Sequence, residues 1–167
     1  MRGSGDAVTG LFYNPNIHQY SEYIRRREAA QRYAAGAGLE LIEGPYDMEN
    51  YFQNTAYNEK TSSRCPVCWW LRISKTAKSA SEKGFDAFTT TLLGSPYQDH
   101  DVIKNICEDV SGKSGVNFYY RDFRAGFRQA QAKAKASGIY CQNYCGCVFS
   151  EKERLVKKHG PWMSNSE

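Results

Sequence analysis

Cys65 and Cys68 stand two residues apart in RCPVCWW, and Cys145 and Cys147 stand one residue apart in YCGC. Thiols this close share their chemistry. Each pair can close a disulfide, hold one metal, exchange electrons as a dithiol, or ligate an iron–sulfur cluster. The glycine in YCGC permits the tight backbone that a one-residue gap requires. Zinc sites with two knuckles use a two-residue gap in each pair, so the shorter gap weakens a zinc reading without removing it. A thioredoxin-like role is also weakened, because that motif follows a buried strand and the NEKTSSR before Cys65 is hydrophilic. A helix starting at Cys65 would favour thiolates through its N-terminal dipole. Cys107, beside Ile103 and Ile106, reads as core, and Cys141 takes no assignment.

Three polar loops offer further reactive groups. NPNIH supplies Asn14 and His18; GSPYQDH supplies Ser95, Tyr97, Gln98 and His100; YRDFRAGFR sets Asp122 among Arg121, Arg124 and Arg128 and aromatic rings. A lone loop histidine is usually only solvated, and Asp122 can simply cap the helix that follows. The functional alternative is a phosphate-gripping surface, where arginine forks bind phosphate and aromatic rings offer stacking planes.

The net charge of +4 is unevenly spread. From Arg121 to Gly160 there are nine Lys or Arg against three Asp or Glu, a balance of +6, which leaves −2 for the remainder. A polyanion would be drawn to the C-terminal quarter. Charge alone nevertheless favours a solvated pair of helices there. No stretch approaches the roughly 20 apolar residues that span a bilayer. MRGSGDAVTG lacks the apolar core of a secretory signal, so a cytoplasmic protein with reduced thiols is expected.

The elements that must carry these residues alternate between strand and helix. AVTGLFY and GLELIEG read as strands around a helix over 20–37, and a polar stretch then delivers the chain to Cys65. From there a helix closing at Gly84 is expected, with Trp70, Ile73, Ala77 and Ala80 on one face. FDAFTTTLL reads as a strand, followed by a helix over 102–110, the strand VNFYY and a helix over 123–137. A last short helix carries Ser150 and Glu153 as a capping box. Repeated βα units predict one α/β domain over 1–167, with a mostly parallel, Rossmann-like sheet and helices on both faces. Ligands of such sheets bind beyond the carboxyl ends of the strands, where the three polar loops fall.

LFYNPNIH, EYIRR, RCPVCWWLRISKTA, GFDAFTTTLLGSPYQDH, NFYYRDFR and YCQNYCGCVFSEKER together resemble the QueH family of epoxyqueuosine reductases, from near Thr9 to about Arg154. The resemblance implies an oxidoreductase of tRNA queuosine biosynthesis. Such an enzyme removes the epoxide oxygen of epoxyqueuosine at the wobble position, without cobalamin, using a 4Fe-4S iron–sulfur cluster and a second iron beside it. It implies cluster ligation by Cys65 and Cys68, with Cys145 and Cys147 as relay or ligands. Asp122, Tyr97 and His100 become candidate proton donors. Arg121, Arg124, Arg128, Asn14, His18, Ser95 and Gln98 become candidate contacts to the tRNA anticodon loop. A monomer is expected, with an electron donor that the sequence does not specify.

Two features depart from the family pattern. Family members carry a strand and a CC pair roughly two dozen residues before the VTGLFYNPNIH strand, whereas Met1 lies seven residues before Val8 and no CC pair occurs. The expectation is a chain incomplete at its N-terminus, lacking the first strand. Cys141 stands where the family more often has Arg. The rival reading is a tRNA-binding module in which Cys65, Cys68, Cys145 and Cys147 hold a structural zinc and no catalysis occurs.

Overall fold

The computed structural model describes residues 5–58 and 60–160. Strand β1 (Thr9–Phe12) leads through a loop into helix α1 (Tyr20–Ala37), and strand β2 (Glu40–Glu43) returns parallel to β1, with Thr9 opposite Glu40 and Phe12 opposite Glu43. Gly38 ends α1 in the left-handed conformation, its N–H bonding the carbonyls of Ala34 and Ala35. Phe12, Ile17 and Tyr23 bury the inner face of this βαβ unit.

Helices α2 (Met48–Thr55) and α3 (Thr61–Glu82) follow. Then come β3 (Ala87–Phe88), α4 (His100–Ser114) and β4 (Asn117–Phe118), with β4 parallel to β3. The largest buried cluster lies between α3, β3 and α4, built on Trp69, Ile73, Ala77, Phe88, Leu93, Ile103 and Cys107. Helices α5 (Phe127–Ala136) and α6 (Val148–His159) complete the described chain.

The expected α/β architecture is present, but among the described residues the strands form two separate parallel pairs instead of a continuous Rossmann-like sheet. FDAFTTTLL contributes only two strand residues because the Thr90 hydroxyl accepts the N–H of Leu92 at 3.3 Å, turning Thr91–Gly94 into a short 3-10 helix. VNFYY pairs at Asn117 and Phe118, after which one further bond, Tyr119 N–H to the Phe88 carbonyl at 2.8 Å, ends the ladder.

Other boundaries also shift. Helix α3 begins at Thr61, so Cys65 and Cys68 occupy its second turn, where the N-terminal dipole contributes little. Trp69, at 8% exposure, faces the core, whereas Trp70 is 43% exposed. Only one of two adjacent helical residues can face α4. Helix α4 starts at His100 because Asp99 caps it, accepting from Val102 N at 3.1 Å. The expected box at Ser150 and Glu153 is replaced by a cap from Cys147, whose Sγ accepts from Ser150 N at 3.3 Å. Neither α5 nor α6 contains a buried residue, so these two basic helices are solvated.

Candidate functional site

Helix α3 presents Arg64, Cys68 and Arg72 at i, i+4 and i+8, and therefore on one face. Cys65 lies one turn before Cys68, beside that row. Against it packs the irregular segment before α6. Tyr51, Cys68, Leu71 and Cys147 form one buried cluster, with Cys145 and Phe149 against it. Tertiary structure thus packs Cys68 against Cys145 and Cys147 from far along the chain, whereas Cys65 packs against the core between α3 and α4 and is coupled to Cys147 through charge.

Within YCGC the Sγ atoms of Cys145 and Cys147 are 3.6 Å apart, and Cys145 Sγ is 2.9 Å from Ser150 Oγ. The Ser150 hydroxyl donates to the Cys147 carbonyl at 3.0 Å. The proton is unequally shared. Hydrogen bonding from Cys145 stabilises the Cys147 thiolate and pulls that thiol below its ordinary value, helped by Ser150 and the Arg64 guanidinium. Hydrogen bonding to Cys147 and burial keep the Cys145 proton on. Burial pushes the Cys65 thiol up, and pushes Cys68 up to about 11, with Arg64 opposing the first shift and Arg72 the second.

Two arginines therefore balance the sulfurs. Arg64 is 1% exposed, with its guanidinium 4.5 Å over the Phe149 ring and Nη2 3.1 Å from Glu153 Oε1. Arg72 donates from Nη2 to Asn14 Oδ1 at 2.9 Å, which ties the NPN loop to α3 beside Cys68. His18 lies in the same region. Its Nδ1 accepts the N–H of Val148 at 3.2 Å, which places the proton of the neutral ring on Nε2. Its ring stacks on Phe52 and packs at a tilt against Tyr51, with centroids 4.4 and 4.6 Å away, and burial lowers its pKa to about 4. Tyr51 is wholly buried, and its hydroxyl finds no hydrogen-bond partner among the described residues.

The remaining candidates assemble at the ends of β3 and β4. His100 Nε2 lies 3.2 Å from the Tyr120 hydroxyl. Asp122 accepts from Arg124 N, Nε and Nη2, and those bonds hold its carboxyl far below the usual range. Tyr97, at 84% exposure, meets Phe127 edge-on, and the Ser95 hydroxyl accepts from Tyr97 N at 3.3 Å. Gln98 keeps a buried Oε1 without a partner among the described residues. Arg121 and Arg128 are exposed. The candidates thus form a sulfur group, joined by Asn14 and His18, and an arginine-aromatic group.

Among the described residues no three His, Cys, Asp or Glu side chains are already arranged to hold a metal ion, and all six cysteines are free. Sequence reading missed Arg64, Arg72 and Tyr51. The arginines were findable from RCPVCWWLR, where positions 64, 68 and 72 share a face once the helix starts before Cys65. Nothing in the sequence marks Tyr51 out from its neighbours.

The family model described as epoxyqueuosine reductase QueH matches residues 1–153, which include both cysteine pairs. The chain belongs to the QueH family of epoxyqueuosine reductases. It is similar to the epoxyqueuosine reductase QueH of Dehalococcoides mccartyi, at 38% identity over 158 residues, covering 94% of this chain and 86% of that protein. It is likewise similar to QueH of Thermotoga maritima, at 40% identity over 155 residues, covering 88% of this chain and 81% of the relative. QueH of Helicobacter pylori is 36% identical over 159 residues, and there 89% of this chain matches 43% of a longer protein. No helix among the described residues is long and apolar enough to cross a membrane.

Proposed function

We propose that this QueH-family chain reduces epoxyqueuosine to queuosine at the wobble position of tRNA, without cobalamin. The observation that carries the proposal is the packing of Cys68 with Cys145 and Cys147 in one buried cluster, with Cys65, one turn before Cys68, electrostatically coupled to Cys147. Deoxygenating an epoxide to an alkene consumes two electrons and two protons and releases water. Cys145 and Cys147 as a dithiol hold that amount, and they surrender it on closing to a disulfide. A separation of 3.6 Å and an unequally held proton suit that role.

Cys65 and Cys68 are the proposed ligands of a 4Fe-4S cluster. The fit rests on soft donors, on flanking Arg64 and Arg72 cations that offset the charge of ligated thiolates, and on the unpartnered Tyr51 hydroxyl aimed among the sulfurs. A cluster bound there supplies one-electron transfer. His100 is positioned to hold a proton with Tyr120, whereas Asp122 is committed to Arg124 as an ionised acceptor. Arg121, with its guanidinium 6.0 Å from the Phe123 ring centre, and Arg128, next to Phe127 in the chain, are both exposed and are the proposed grips on the anticodon loop.

The test is metal analysis after anaerobic expression, together with conversion of epoxyqueuosine-bearing tRNA. Cys65→Ser and Cys68→Ser should abolish iron binding, and Cys107→Ser, buried on α4 within the core, should retain it. Equal loss in all three would remove the ligand assignment. Colourless protein carrying zinc would favour the binding-module reading.

A further inference from the structure

Helix α1 carries a buried ion pair whose partners outside the helix all lie in the segment over 140–145, Glu22 also meeting Arg25 of α1 at 3.8 Å. Glu22 and Arg26, spaced i, i+4, are 6% and 8% exposed and meet through Arg26 Nε and Glu22 Oε1 at 2.8 Å. A buried pair of this kind is tolerable only if its other donors and acceptors are satisfied. Arg26 Nη1 donates to Gln142 Oε1 at 2.7 Å and to the Cys145 carbonyl at 3.0 Å, and Nη2 donates to the Tyr144 carbonyl at 3.1 Å. The Tyr140 hydroxyl donates to both Glu22 oxygens, at 2.8 and 2.9 Å. The guanidinium also lies 5.2 Å from the Tyr144 ring centre.

Residues 140–146 lie outside any helix or strand, so their backbone groups lack the regular partners such an element supplies. The cradle formed by α1 and the preceding loop takes that place. Besides the bonds from Arg26, Asn16 Nδ2 donates to the Cys145 carbonyl at 3.2 Å, and His18 N–H donates to the Gly146 carbonyl at 3.2 Å. The approach is close. At Gly146, with φ +115°, a Cβ would meet Ile17 Cγ1 at 2.8 Å and Arg26 Nη1 at 3.2 Å.

We infer that Arg26, oriented by Glu22, is the positioning residue that holds the Cys145–Cys147 backbone in the conformation bringing the two sulfurs together. This inference rests on the dithiol reading of Cys145 and Cys147 given above. Arginine is required because a planar fork reaches two successive carbonyls and an amide at once, which a lysine ammonium cannot do from the same place. Freed of that grip, the Cys145 carbonyl keeps only Asn16, and the two thiols sample separated conformations. Their effective concentration toward each other then falls.

The experiment equilibrates the protein in thiol–disulfide buffers of graded potential, quenches with an alkylating agent, and reads the oxidised Cys145–Cys147 fraction by peptide mass. Arg26→Lys should lower the dithiol-to-disulfide equilibrium constant by about tenfold, a midpoint about 30 mV less negative. Glu22→Gln keeps the cation and the packing, serves if Arg26→Lys does not fold, and should shift the midpoint the same way by a smaller factor. Folded variants that melt at lower temperature yet keep the wild-type midpoint would overturn the positioning role and leave the dithiol reading standing. A wild-type protein that forms no Cys145–Cys147 disulfide in any buffer would overturn both.

Discussion

Arg124 closes on Asp122 with its backbone N–H at 3.0 Å, its Nε at 2.9 Å and its Nη2 at 2.6 Å. The backbone bond is a local turn, and the side-chain bonds use one edge of the guanidinium fork. An arginine so engaged has less to offer a phosphate than its neighbours Arg121 and Arg128.

The arginines should therefore separate in a binding titration. Replacing Arg121 and Arg128 together by Ala should flatten the logarithmic salt dependence of tRNA affinity by roughly 1.4 units, about 0.7 for each single-strand phosphate that is no longer neutralised. Arg124→Ala should change the slope less and lower the melting temperature instead. Titrations at several salt concentrations, run beside thermal melts, read both quantities. A slope indifferent to Arg121 and Arg128 would move the RNA surface elsewhere.

Glycine substitutions should have opposite signs at two positions. Gly146 sits at φ +115° with Ile17 Cγ1 in the path of any Cβ, so Gly146→Ala should destabilise by roughly 1–3 kcal/mol from backbone strain, with the clash added. Gly112 lies within α4 with nothing within 4 Å of its Cβ position, and Gly112→Ala should stabilise by about 0.5–1 kcal/mol. For a chain of this length each kcal/mol moves Tm by roughly 2–4 °C. Differential scanning calorimetry of the two variants checks the signs directly.

His18 should make stability depend on mild acid. Its folded pKa is lowered from 6.5 to about 4 by burial, so between those values the unfolded chain takes up a proton that the folded chain refuses. The stabilisation is complete above 6.5 and is lost as pH falls from there through about 4. Protonation would also abolish the acceptor that holds Val148 N–H. His18→Gln should melt lower than wild type at neutral pH, and the gap should narrow across that interval. A constant gap would show that the ring is not held neutral by the fold.

The two cysteine pairs stood out in the sequence because their information is local. Close cysteine spacing, the glycine between Cys145 and Cys147, and the parallel βαβ unit over β1, α1 and β2 follow from short-range geometry and periodicity. The burial of Cys107 followed from its apolar neighbours in the same way. What the chain alone left open was every choice between near-equal local options. Trp69 rather than Trp70 faces α4, and Thr90 turns FDAFTTTLL into a 3-10 helix after two strand residues. Cys147 rather than Ser150 caps α6. The convergence of Arg64, Arg72 and Tyr51 on sulfurs from two distant segments, and the grip of Arg26 on a loop 118 residues away, were decided only by tertiary structure. The physical reason is that burying a charged or polar group is costly unless partners surround it, and those partners come from parts of the chain that meet only when it folds.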